Sequence, residues 1–365
     1  MTLALGFFAL FPVQDSQNQN QKGIWERLEL YGNGRVRWES TFDNVDSSGN
    51  SVDDRQRGRL RARIGARYEI EEGLKAEARL STSSDGNDAN NPYWDFGDGE
   101  GFNGSSIVLD RLFLDWAAAQ DVHLRSGKMP NAFAQPPIYG EFIWDNDVQP
   151  AGFAALWTPR SDSKTSFDVR AAGYVADEVS GDQDPKVWGA QGNLYLSLDD
   201  DKKLQVSTSF YDWGDNQAAA VAGNQGNTAT TGNFLIWESF ASANVQGGPL
   251  DELTGYVEYM NNVDESDEDT GYVVGAQLGP SSKRGAYNVF LCYYDVGADS
   301  LFSPVSQDDT PIAGTGLGDG MDGFIVGATY FWRDNVAIKL WALTSDADAE
   351  DDPVRIRLDF DFNVK

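Results

Sequence analysis

Polarity along most of this chain repeats every second residue, a period that fits strands and excludes amphipathic helices over the same stretches. The run from Val354 to Asn363 shows it most cleanly. Val354, Ile356, Leu358, Phe360 and Phe362 alternate there with Arg355, Arg357, Asp359, Asp361 and Asn363, leaving one apolar face and one charged face. Such runs recur near 28–41, 55–70, 74–82, 107–117, 122–128, 151–158, 166–176 and 187–198. Further ones lie near 203–213, 233–243, 253–261, 271–279, 285–295, 322–332, 336–343 and 354–363, which makes sixteen. The number is even, and each run is roughly the 9 to 11 residues that a tilted strand needs to cross a hydrocarbon core.

One alternating strand fits a soluble sandwich as well as a membrane barrel, but the connections separate the two. Those after odd-numbered runs are long, as in 42–54, 83–106, 129–150, 214–232 and 297–321. Those after even-numbered runs are generally short, as in 71–73, 118–121, 199–202 and 333–335. A sandwich has no reason to sort its loops by parity, whereas an outer-membrane barrel has short periplasmic turns and long external loops. The expected fold is therefore all-β: a transmembrane antiparallel barrel of about 16 strands with both termini in the periplasm. Connections carrying Asp267 and Asp309 would lie outside and Asp200 would lie in a periplasmic turn. Trp38, Tyr68, Trp116, Phe167, Trp188, Tyr259 and Tyr330 fall near strand ends on the apolar parity, where interfacial girdles of a barrel belong.

At the start, the apolar run Thr2–Val13 followed by the polar tract Gln14–Gln21 reads as a secretory leader over residues 1–23, without a Lys/Arg n-region or a clear small-residue cleavage site. Residues 24–365 then form one barrel domain. No run of 18 apolar residues occurs, so a transmembrane helix is not expected. One cysteine, Cys292, and one histidine, His123, cannot build a zinc site or a Cys/His nucleophile pair. His123 takes the polar parity between Val122 and Leu124 and reads as a lumen residue. No cofactor is expected. With 28 Lys+Arg against 57 Asp+Glu, the formal charge of -29 speaks against generic nucleic-acid binding.

The positive charge is unevenly placed: 15 of the basic residues occur by Lys128, and none lies between Lys203 and Lys283. In the second run Arg57, Arg59, Arg61, Arg63 and Arg67 share one parity, opposite Leu60, Ala62, Ile64, Ala66 and Tyr68. Arg35, Arg37, Lys75 and Arg79 of the flanking runs take the same polar parity. Arginine at the lipid midplane costs roughly 2–4 kcal/mol each, so these nine residues are expected to line one wall of the lumen. The third long connection, 129–150, is apolar for a loop, with Phe133, Ile138, Tyr139, Phe142, Ile143 and Trp144. Folded inward it would bury those rings and bring Glu141, Asp145 and Asp147 to face the basic wall across water, a transverse field at a constriction. The acidic clusters Asp264–Asp269 and Asp346–Asp352 are expected as solvated outer loops, with divalent cations a weaker reading because no D-x-[DN]-x-[DN]-G pattern occurs.

The segments RLRARIGARYEI (59–70), LDRLFLDW (109–116), GKMPNAF (127–133) and FIWDNDVQPAGFA (142–154) resemble a bacterial family of outer-membrane porins. The resemblance implies a sixteen-stranded channel for passive diffusion of small hydrophilic solutes and ions through outer-membrane lipid, commonly a homotrimer, with an infolded third loop at 129–150 and no catalytic residues. A barrel usually ends in an aromatic; here Phe362 is the nearest to the end. Two other classes compete. A secreted β-rich glycan-binding protein or glycosidase would use the 11 Trp and paired carboxylates, but explains neither loop parity nor the arginine ladder. A barrel enzyme or adhesin would need a nucleophile with a base, and nothing in sequence gathers a Ser and an acid around His123.

Overall fold

The computed structural model describes residues 23–46, 50–83, 93–96, 106–159, 164–175, 186–214, 227, 234–247, 251–307, 309, 320–346 and 351–364. The leader expected at 1–23 lies outside the described residues except for Gly23, as do Asp348 and Glu350. The chain runs through a one-turn helix α1 (Ile24–Arg27), then β1 (Leu28–Phe42), β2 (Arg55–Glu71), β3 (Leu74–Ser83), β4 (Trp94–Asp95), β5 (Ser106–Ala119), β6 (Val122–Lys128), β7 (Ala151–Trp157), β8 (Thr165–Val175) and β9 (Lys186–Ser197). It continues through β10 (Lys202–Asp212), β11 (Leu235–Gln246), β12 (Glu252–Asn262), β13 (Thr270–Leu278), β14 (Tyr287–Val296), a 3-10 turn η1 (Ser303–Val305), β15 (Met321–Arg333), β16 (Val336–Thr344) and β17 (Val354–Val364).

Sixteen of these strands pair antiparallel around a closed ring in which β1 meets both β2 and β17. Closure leaves no sheet edge and satisfies the backbone between strands, the condition for crossing lipid without helices. Each of the sixteen expected runs falls on one of these strands, with ends that agree within three residues. The two-residue β4 is an addition, paired onto Arg59 and Leu60 of β2 beyond the end of the β3 ladder. Most connections sort by length as expected, from two-residue turns such as 72–73 to the long connections 129–150 and 297–320, but 263–269 on the long side is shorter than 279–286 on the short side. Gly73, at φ +81, turns the first of the tight connections in the left-handed region that glycine adopts without strain.

The usual distribution of polarity is inverted. Ile64, Ile107 and Phe153 on the outer parity are about 70% exposed, whereas inward Arg37, Arg59, Arg63, Glu39 and Asp359 are buried. Of the proposed girdle residues, Trp38, Trp116, Phe167, Trp188, Tyr259 and Tyr330 stand exposed on the outer surface, where lipid would cover them, and Tyr68 is half-buried. The buried apolar cluster lies inside the barrel and is built largely from 129–150 and 297–305 against the inner faces of the strands.

Candidate constriction site

Barrel closure places the first and last strands side by side in a register that matches charge. Arg35, Arg37 and Glu39 stand directly opposite Asp361, Asp359 and Arg357. The pairs close at 2.5 Å for Arg35 Nε to Asp361 Oδ1, 2.7 Å for Arg37 Nε to Asp359 Oδ1 and 2.5 Å for Arg357 Nε to Glu39 Oε2. On the other side of β1 the register sets Arg35 against Arg61 and Arg37 against Arg59, like charges that would repel across a bare ladder.

Groups from two connections relieve that repulsion. Tyr93 inserts its ring beneath the guanidiniums of Arg59 at 4.5 Å, Arg37 at 4.7 Å and Arg61 at 5.6 Å, and its hydroxyl accepts from Arg35 at 2.7 Å. Asp95 on β4 accepts from Arg59 at 2.6 Å and from Arg57 at 3.1 Å. From the third long connection, Asp147 accepts from Arg63 at 2.7 Å and from Arg61 at 3.1 Å. Lower on the wall Arg79 pairs with Asp110, and Arg67 with Glu77 at 2.7 Å. Lys75 stands exposed near the short-turn end, in register with Glu69. Of the nine basic residues the eight arginines are each ion-paired, so the wall is a paired one rather than a bare one.

The 129–150 segment folds into the barrel, and its apolar residues pack on the wall opposite the arginines. Phe133 reaches Tyr211 with ring centroids 5.0 Å apart, Phe142 reaches Tyr294 at 5.3 Å, and Trp144 reaches Trp213 at 5.4 Å. Gly189 admits Phe133, since a Cβ there would lie 2.4 Å from the ring. Tyr139 takes φ +45, an uncommon conformation for a bulky residue, held by contacts with Phe142 and Trp341.

Two expectations are corrected by this geometry. The loop acids do not all face the wall across water: Asp147 touches it, Asp145 is buried with its carboxylate accepting from the Asp147 backbone at 2.5 Å, and Glu141 is set apart beside Asp309. Asp309 is not displayed outside. Residues 297–307 and Asp309 also turn inward, because Leu301 and Phe302 are as apolar as the third connection and find the same inner surface, with Phe302 stacked on Trp213 at 3.9 Å. The two inserted segments hold each other through Asp145 N–H to Val305 O at 2.8 Å and Gln307 N–H to Glu141 O at 3.1 Å. Asp309 reaches Arg357 at 2.5 Å and accepts from Tyr139 at 3.1 Å.

Between wall and loops lies a cavity of about 240 Å³ lined by Arg35, Arg61, Arg63, Glu141, Lys339 and Trp341, among others. Burial raises the Asp147 carboxyl, but Arg61 and Arg63 outweigh it and hold the group below the usual aspartate range. Burial likewise opposes ionisation of Asp309, and Arg357 and Arg37 overcome it to hold that carboxyl low. Glu141 goes the other way: burial and the adjacent Asp309 and Asp147 push it above the usual glutamate range.

Parity exposed the ladder but not its partners Glu39, Tyr93, Asp95, Asp110, Asp309, Arg357 and Asp359. The mirrored charge order of the first and last runs was the signal available for the seam, and the apolar Leu301–Phe302 pair was the signal for the second inserted segment. His123 stands on the inner parity, half exposed, with Nδ1 2.7 Å from Asp115 Oδ1. Asp264–Asp269 lie at the outer connection 263–269, and no three His, Cys, Asp or Glu among the described residues converge as metal ligands would.

A closed barrel with an apolar exterior, a charged interior and a loop narrowing its bore is a diffusion channel. A family model described as "Putative porin" matches residues 11–248, and the chain belongs to that family. Among solved structures it is similar to OprB of Pseudomonas putida, with a TM-score of 0.61 and 9% identity over 93% of this chain and 94% of that one. It is also similar to a five-substitution variant of the porin of Rh. blastica, with a TM-score of 0.50 and 14% identity over 92% of this chain and 100% of that one. At these identities the likeness is one of fold. No curated protein matches the chain. The protein is thus an outer-membrane porin, a bacterial channel for passive diffusion, and the glycan-binding or glycosidase reading finds no support in family or fold.

Proposed function

We propose that the eyelet of this channel is the gap between the basic wall, chiefly Arg35, Arg37, Arg59, Arg61 and Arg63, and the two inserted segments, and that it admits small hydrophilic solutes and ions by size with little preference for ion sign. The observation that carries this reading is the double contact of Asp147 with Arg61 and Arg63, which ties the third connection to the wall at 3.1 and 2.7 Å. Paired charges cancel at short range, so the near-neutral wall leaves only a small excess of either sign to act on a passing ion. Acidic outer connections such as 263–269 act from a distance that salt screens, with a Debye length of about 8 Å at physiological ionic strength. Family membership supports a homotrimer in outer-membrane lipid as the working assembly.

Replacing both Arg61 and Arg63 with Ser tests the eyelet. In a planar bilayer under a salt gradient, loss of two fixed positive charges within about a Debye length of the ion path should raise the cation-to-anion permeability ratio about twofold or more and enlarge the conductance slightly. A folded double variant with unchanged reversal potential would place the constriction elsewhere.

A further inference from the structure

The hydrogen-bonding groups around the 240 Å³ cavity are unequally used. Its acceptors are engaged: Asp147 by Arg61 and Arg63, Asp309 by Arg357 and Tyr139, and Asp145 by the Asp147 backbone. Its donors are not. Arg61 gives Nη1 and Arg63 gives Nη2 to Asp147, and Arg63 Nε lies 3.8 Å from Asp110, but the other terminal nitrogen of each guanidinium makes no hydrogen bond among the described residues. The Lys339 ammonium rests 3.9 Å from the Trp341 ring centroid and 4.8 Å from that of Phe290, with no hydrogen bond or ion pair among the described residues. Cationic donors that line a cavity without a partner favour a ligand that supplies acceptors.

We propose that this cavity is a binding site for one small oxyanion, held between the Lys339 ammonium and the terminal guanidinium nitrogens of Arg61 and Arg63 that Asp147 leaves unused, at which permeating anions pause. The site rests on the eyelet proposed above and adds a ligand class to it. A volume below the roughly 300–1,000 Å³ of sites for drug-sized molecules limits the ligand to a small group such as phosphate or a simple carboxylate. Arginine and lysine donors suit both, because charge-assisted bonds to oxyanions are about twice as strong as neutral ones. The aromatic faces of Trp341 and Tyr93 are already covered by cations, which leaves no free ring to stack on a solute. Glu141, the remaining acid of the lining, has its carboxyl pushed above the usual glutamate range by burial and by the adjacent Asp309 and Asp147.

The test is current through single channels in potassium chloride with inorganic phosphate, or acetate, added at constant ionic strength. Saturable reduction of chloride current by phosphate alone identifies a tetrahedral oxyanion site, and reduction by acetate as well identifies a general oxyanion site; both support the assignment. In Lys339→Gln the half-blocking concentration should rise about tenfold, the loss expected for one charge-assisted hydrogen bond, while Lys339→Arg should keep it within about threefold. Heat-dependent gel mobility of each variant verifies that its barrel has closed. Block that persists unchanged in a folded Lys339→Gln channel overturns the site. Absence of block by either anion in the wild-type channel also overturns it, and the salt-gradient result for the Arg61 and Arg63 variant still decides the eyelet separately.

Discussion

The two sides of the lumen hold the inserted segments by different physics. On the β1–β2–β17 side the attachments are ionic, from Asp147 to Arg61 and Arg63 and from Asp309 to Arg357. Across the bore, on β8 to β14, the attachments are aromatic, with Phe133, Phe142 and Trp144 seated on Tyr174, Tyr211, Tyr294 and Trp213. Ring packing removes apolar area from water and is insensitive to salt, so it supplies most of the anchoring. Ion pairs on a partly wet face add less, but they are directional and fix where charge stands in the eyelet. The channel thus separates the task of holding its loop from the task of shaping its field.

Breaking the aromatic side should have the largest effect. Trp144 is 2% exposed, and Trp144→Ala should remove about 3–5 kcal/mol of loop attachment, giving faster proteolysis within 129–150 and a noisier, larger conductance. An unchanged conductance would move the anchoring to the ionic side. Next in size is the seam. Asp359→Asn leaves Arg37, 1% exposed, without its carboxylate partner and should cost about 3 kcal/mol, read as a lower temperature for loss of the folded band in a detergent gel. Trp341 Nε1, which donates to Asp359 at 3.0 Å, can still donate to the amide oxygen and limits the loss.

The smallest expected effect is that of pH. Asp309 has its folded-state carboxyl held below its unfolded value, so its ion pair with Arg357 contributes in full above the ordinary aspartate value of about 4 and is lost only as pH falls through the lowered folded value. Conductance should therefore stay flat from about pH 7 to about pH 5. A step inside that window would point to Glu141, whose carboxyl is shifted upward, as the group that controls the loop.

Sequence made the barrel legible because every strand must present alternate residues to lipid and water, so a period of two survives along the whole chain. It made the basic wall legible because five arginines of β2 share a parity that lipid forbids. Partners in the wall were hidden for a different reason. Arg37 and Asp359 are separated by 322 residues, and only the closing register brings them together. Tyr93 and Asp95 sit in a connection with no periodicity of its own, and the inward turn of 297–307 rests on a short apolar pair that a count of charges in the same stretch obscures. Apolar content in a loop, weighed residue by residue as for 129–150, is the cue that would have found both inserted segments.

The seam between β1 and β17 also bears on how wide this channel is. It joins the ends of the chain, so it has the largest loop to close and the least help from sequence proximity in choosing its alignment. A slip of one residue would send every side chain to the wrong face. A slip of two keeps the faces but sets Glu39 against Asp359 in one direction or Arg37 against Arg357 in the other, each a like-charge clash that the native register avoids. Since the stagger accumulated around a barrel helps set its tilt and diameter, the order of three charges on each closing strand acts as a gauge of bore, written at the one joint where an error would change the circumference.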